Sequence, residues 1–232
     1  MHIEPHATGL GSYIKDIVYG ANDGIITTFA IVAGSIGANF SLKVIVILGI
    51  ANLIADGFSM AASNFLGTRS ENALYRSEQR REEDEVEHKT QIEKDEIGEI
   101  FEAHGFAESE RNQLVDLVSR NKKFWVDFMM RYELGLPKPE SDSAWKAGAL
   151  TFASFVIAGS LPLLPFLILG AGPNTFLYSI LSTAASLFVV GASRQFITKE
   201  HWLLGGLEML LIGGLAAVAA YMLGYFVGGI TG

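Results

Sequence analysis

Apolar and charged positions along this chain fall into long blocks. Residues 17–38 are apolar apart from Asn22, Asp23 and a few hydroxyls, and a helix needs about 20 such residues to cross the hydrocarbon core of a bilayer. After a short turn at 39–42, residues 43–66 form a second apolar run that holds Asn52, Asp56, Met60 and Asn64. From residue 69 the chain becomes charged on a helical period. Val86, Ile92, Ile97, Ile100 and Phe101 include an i, i+3, i+4 apolar set, and Gly105 after His104 reads as a helix C-cap. Leu114, Leu117 and Val118 mark a second helix, and residues 124–134 a third, closed by Gly135 and Pro137. Apolar runs return at 147–169, 175–196 and 203–228. In the first of these, Pro162 and Pro165 are expected to bend or end the helix, which a membrane tolerates where neighbours re-satisfy the freed carbonyls. The second carries a hydroxyl stripe, Ser179, Ser182, Ser186 and Ser193, suited to close helix contact.

This pattern predicts an all-α membrane protein: five transmembrane helices, with a three-helix domain inserted between the second and third. The domain boundaries read as 1–68, 69–145 and 146–232. Near the span ends, Lys15, Arg69, Lys138, Lys146, Arg194 and Lys199 fall on one side of this arrangement and Lys43 on the other. The positive-inside rule then puts the N-terminus and the inserted domain in the cytosol.

Composition supports the membrane reading: half of the residues are hydrophobic, and the mean hydropathy is +0.32. The formal net charge is −8, with most of the acidic excess between Glu71 and Glu110, which selects cations as partners and argues against nucleic acid. With no cysteine, thiolate metal sites and thiol redox chemistry are excluded. The first ten residues lack the basic region and apolar core of a cleaved signal peptide, so the N-terminus is expected to stay where the chain was made.

Ionisable groups inside apolar runs are costly, at least about 2.5–3.5 kcal/mol at mid-bilayer, and so point to a function. Asp16 and Asp23 lie two turns apart on nearly one face of the first helix. Asn52, Asp56, Met60 and Asn64 recur every fourth position on the second, giving a winding polar stripe. Together these faces describe a cation pathway; the competing reading has Asp23 and Asp56 protonated or bonded to backbone and serving packing. The thioether of Met60 favours transition metals over Mg²⁺ or Ca²⁺, although methionine in an apolar helix is ordinarily packing. Glu208 is as consistent with snorkelling to the interface as with transport.

In the inserted domain, Glu85-x-x-His88 and Glu96-x-x-Glu99 each place two ligands on one helical face, and an offset of eleven brings the second pair to nearly the same azimuth. Such motifs hold iron in carboxylate-bridged bundles. A solvated acidic face salted by Arg80, Arg81, Lys89 and Lys94 is the plain alternative. Met129, Met130 and Glu133 on a later helix add a mixed oxygen and sulfur set and favour the metal reading.

The stretches Val18-Tyr19-Gly20-Ala21-Asn22-Asp23-Gly24, Asp56-Gly57-Phe58-Ser59-Met60-Ala61-Ala62 and Leu207-Glu208-Met209-Leu210, with the acidic insert, resemble the vacuolar iron transporter family over nearly the whole chain. The resemblance implies a homodimer of five-helix subunits, a path at the two-fold interface lined by the first helix, and a cytosolic three-helix domain that binds metal before transport. By position it implies that Asp23 and Met60 form the membrane metal site and that Asp16 guards the cytosolic mouth. In the insert it assigns Glu85, Glu96, Glu99, Met129, Met130 and Glu133 as ligands. At His88 a glutamate is expected; imidazole still binds Fe²⁺ but also suits Zn²⁺ and Ni²⁺. The lack of a long N-terminal extension favours a prokaryotic cytoplasmic membrane over a plant vacuole.

The resulting expectation is a transporter, not an enzyme, that moves Fe²⁺ out of the cytosol in exchange for protons. Mn²⁺, Zn²⁺ and Co²⁺ are further candidate ions, and no permanent cofactor is expected. Two rivals explain the insert differently: a membrane-anchored di-iron ferroxidase built on Glu85, His88, Glu96 and Glu99, and a metal-sensing adaptor whose membrane helices only anchor it.

Overall fold

The computed structural model describes residues 10–139, 143–195 and 201–231. Phe196 and Lys199, used above for the end of a span and for orientation, lie outside them. The described residues form nine α-helices: α1 Leu10–Gly37, α2 Leu42–His88, α3 Thr90–Ala103, α4 Glu108–Ser119, α5 Lys122–Tyr132, α6 Ala144–Ser160, α7 Leu164–Leu169, α8 Thr175–Ser193 and α9 Trp202–Thr231. Two compact units result, one of Met1–Leu66 with Ser143–Gly232, the other Gly67–Asp142.

In the first unit α1 is the central helix. It packs against α6, α8 and α9, and 44% of its most apolar window is buried, against 6% for α9. Small residues permit this approach: a Cβ on Gly24 would overlap the Phe155 carbonyl of α6. Phe29, Val32, Ile45, Leu53, Phe155, Leu163 and Phe166 form the core between α1, α2, α6 and α7, and Met60 packs against it. The outer sides of α2 and α9 carry exposed apolar groups, among them Ile54, Phe58, Leu211 and Leu215, as lipid-facing helices do.

Among the described residues, four helices are long and apolar enough to cross a membrane: Tyr13–Gly37, Leu42–His88, Thr175–Ser193 and Trp202–Ile230. The expected span at 147–169 is divided instead into α6 and α7, because Pro162 and Pro165 interrupt the ladder of hydrogen bonds. The carbonyls released there are taken up by α8. Ser179 Oγ donates to the Pro162 carbonyl at 2.7 Å and Ser182 Oγ to that of Leu161 at 2.8 Å, so part of the hydroxyl stripe repairs the break. Ser186 and Ser193 turn back on their own helix, to the carbonyls of Ser182 and Val190.

α2 does not stop where its composition changes. It continues from the apolar run to His88 as one helix, since polarity alone breaks no backbone hydrogen bond and no proline intervenes. It ends at Lys89, whose φ of −120° and ψ of 28° leave the helical region. Downstream, α3 turns at Gly105 (φ 88°) and the chain leaves α5 at Gly135 (φ 64°), left-handed positions that favour glycine. The second unit closes on a core of Tyr75, Val86, Ile97, Val118, Trp125, Val126, Phe128, Met129 and Met130.

Candidate functional site

Within the first unit a cavity of about 450 Å³ opens between α1, α2 and α6, lined by Lys15, Asp16, Tyr19, Ser59, Met60, Ser63, Asn64 and Thr151. It gathers Asp16 and Met60, two of the residues singled out above. Asn64 Nδ2 donates to Asp16 Oδ1 at 2.9 Å, so the polar stripe of α2 meets the acidic face of α1. Asp23 and Asp56 do not line this cavity. They lie farther along α1 and α2, half-buried and within electrostatic reach of each other. There Asn52 Nδ2 donates to Thr27 Oγ1 at 3.4 Å, and Thr27 Oγ1 to the Asp23 carbonyl at 2.8 Å. Glu208 accepts from Arg194 Nη1 at 2.9 Å, pinning α9 to α8.

In the second unit the carboxylates of Glu82 on α2, Glu93 on α3 and Glu133 at the end of α5 lie within 4.8 Å of one another. Neither Glu82 nor Glu93 was selected from the sequence. Along one straight helix an offset of eleven would hold such residues about 16 Å apart. The break at Lys89 instead folds α3 back, so that Glu93 meets Glu82 across the turn. Lys89 N–H donates to the Glu85 carbonyl, and Thr90 Oγ1 to that of Val86 at 2.9 Å, which holds the corner. Two Glu-x-x-Glu pairs offset by eleven, Glu82 with Glu85 and Glu93 with Glu96, were the available signal. The imidazole of His88 drew the reading three residues along.

Glu82 and Glu93 are each 3% exposed, and Glu82 Oε1 and Glu93 Oε2 have no hydrogen-bond partner. Burial, the hydrogen bond that protonated Glu82 donates to Glu93, and the charges of Glu93, Glu133 and Glu85 push Glu82 up to about 8. Burial and the charges of Glu96, Glu93 and Glu85 push Glu133 up to about 7. Glu96 is raised by burial and by its acidic neighbours Glu93, Glu85 and Glu99, whereas Glu85 is lowered, chiefly by the hydrogen bond from Lys89. Crowded carboxylates of this kind hold either a shared proton or a cation, and all-oxygen sites of this sort accept hard and borderline divalent ions.

The remaining expected ligands are distributed around this cluster. Glu85 and Glu96 border it electrostatically, and Glu85 also meets Lys89 at 2.8 Å and Arg81 at 3.6 Å. Glu99 is exposed. His88 is also exposed, and its Nδ1 faces Asp84, 3.1 Å from Oδ1, so of Glu85-x-x-His88 only Glu85 borders the cluster. Met129 and Met130, 0% and 1% exposed, are built into the hydrophobic core, one turn before Glu133.

A family profile for the VIT family matches residues 14–225. Vacuolar iron transporter 1 of Arabidopsis thaliana is 33% identical to the chain over 222 residues, covering 96% of the chain and 88% of the relative. Vacuolar iron transporter 1 of Oryza sativa subsp. japonica is 34% identical over 220 residues, with 95% and 87% covered. A vacuolar iron transporter of Toxoplasma gondii is 34% identical over 232 residues, with 96% and 77% covered. A profile match over most of the chain, together with relatives at this identity over nearly its full length, places it: the chain belongs to the VIT family.

Proposed function

We propose that this chain is an iron transporter that carries Fe²⁺, with Mn²⁺ as a further ion, out of the cytosol in exchange for protons. The observation that carries the reading is the Glu82, Glu93 and Glu133 cluster, two of whose buried oxygens lack any partner. A structural salt-bridge network would satisfy those atoms, whereas carboxylates that exchange protons for a cation would not. Family membership and the relatives named as vacuolar iron transporters support iron as the ion.

In this reading the cluster captures the metal and releases protons from Glu82 and Glu133 as it does so, with Glu85 and Glu96 beside it and Met129 and Met130 behind. The five-span topology, with the inserted domain cytosolic, gives capture and translocation a common side. Within the membrane, Asp16 and Met60 take the ion at the cavity, and Asp23 with Asp56 hold it farther along. A carboxylate in a low-dielectric path binds a proton or a metal alternately, which is the basis of exchange. A homodimer would place α1 of two copies along the path.

The test is Fe²⁺ uptake into proteoliposomes under an imposed pH gradient. Wild type is expected to show gradient-dependent flux, Asp23→Ala to abolish it, and Glu82→Ala to raise KM while retaining it. Flux indifferent to the gradient would refute proton exchange, and full flux in folded Asp23→Ala would refute the path.

A further inference from the structure

Asn64 on α2 reaches two other helices at once. Its Nδ2 donates to Asp16 Oδ1 of α1 at 2.9 Å and to Thr151 Oγ1 of α6 at 2.7 Å. Thr151 is 1% exposed, and its hydroxyl proton is committed to the Ala147 carbonyl at 2.9 Å, so toward Asn64 its oxygen can only accept. An ionised carboxylate also only accepts. Both neighbours therefore demand the amide nitrogen, which settles the orientation of the amide and uses both of its hydrogens.

The backbone is built tightly around this junction. A Cβ on Gly20, one turn after Asp16, would lie 2.6 Å from the Thr151 carbonyl oxygen. A Cβ on Gly148, one turn before Thr151, would lie 2.7 Å from the carbonyl oxygen of Ala61, one turn before Asn64. So α1 and α2 both close on α6 within a turn of the three polar groups, all of which line the cavity with Met60 and Tyr19.

We propose that Asn64 is a positioning residue for cation entry: anchored on buried Thr151, it fixes one oxygen of the Asp16 carboxylate and leaves Oδ2 turned to the ion. This rests on the reading of Asp16 as part of the transport path. Without the donor, the carboxylate keeps its rotamer freedom, which an incoming ion must then remove, and loses a charge-assisted hydrogen bond.

The experiment is Fe²⁺ flux into proteoliposomes, with KM and maximal rate read separately, for wild type, Asp16→Ala, Asn64→Ala and the double variant. Asn64→Ala is expected to raise KM about 10- to 150-fold, the loss of one hydrogen bond to a charged group, with little change in maximal rate. In the Asp16→Ala background the same substitution should have no further effect on KM. Thr151→Val, which keeps the shape and removes the anchor, should raise KM by a smaller factor and serves if Asn64→Ala does not fold. Additive effects in the double variant, or a fall in maximal rate at unchanged KM, would overturn the positioning role. An Asp16→Ala protein with wild-type KM would overturn the path reading itself, whatever Asn64 does.

Discussion

Buried in the second unit, the Glu82 carboxylate is the most consequential single group in the chain. Its folded-state value of about 8, with about 7 for Glu133, lies above the ordinary carboxylate value of 4.5. The folded metal-free state therefore retains protons that the unfolded chain gives up, and stability falls as pH rises from 4.5 through 8, chiefly through buried Glu82 and less through exposed Glu133. The stabilisation is complete below 4.5 and gone above 8. Trp125 is 3% exposed in the core of this unit, so its fluorescence in a Trp145→Phe, Trp202→Phe background reports unfolding there. In chelator, the midpoint should drop between pH 5 and 8, and Glu82→Gln should flatten that slope. For the same reason Fe²⁺ affinity should rise over this range, because each proton displaced competes with the metal. A midpoint that rises with pH in chelator would contradict this. The two methionines are separable by volume. Met129→Ala should cost about 2–5 kcal/mol as a core truncation, whereas Met130→Leu should stay within about 1.5 kcal/mol and lower Fe²⁺ affinity in calorimetric titration. Unchanged affinity would leave Met130 to packing alone.

Among the helices, α1 and α2 do most to place these groups, and by different means. α1 depends on glycine: Gly24 sits against the Phe155 backbone of α6 with no space for a methyl group. Gly24→Ala is expected to destabilise by about 1–3 kcal/mol through forced backbone shifts, visible as a lower midpoint in detergent at unchanged Fe²⁺ affinity of the second unit. α2 depends on continuity, running through the change in composition to end at Lys89. The apolar runs were readable because hydropathy is a local property, and the prolines of the third run correctly marked its interruption. The corner at Lys89 was not readable. It carries no proline or glycine, and the packing that holds α3 against α2, with Ile97 in one core with Val86 and Met129, is a tertiary contact. With that corner in place Glu82 meets Glu93, while His88 turns to Asp84.

Taken whole, the chain is two compact units, and its proposed topology is open to a clean test because it contains no cysteine. Single cysteines at Ser41 and at Gly172 are expected to react with an impermeant reagent from outside intact cells, and one at Ser77 only after the membrane is opened. Labelling of Ser77→Cys from outside would invert the orientation. What the amino-acid order settled alone was the class of protein: helical, membrane-embedded, with an acidic insert and carboxylates inside apolar helices. Those features follow from hydropathy, helical period and charge, each a sum over neighbours in the chain. Which carboxylates meet was decided only by the fold, because Glu82, Glu93 and Glu133 come from three helices, as Asp16, Asn64 and Thr151 do. Contacts between helices depend on where each one ends and how closely its neighbours approach, and no local pattern encodes either distance.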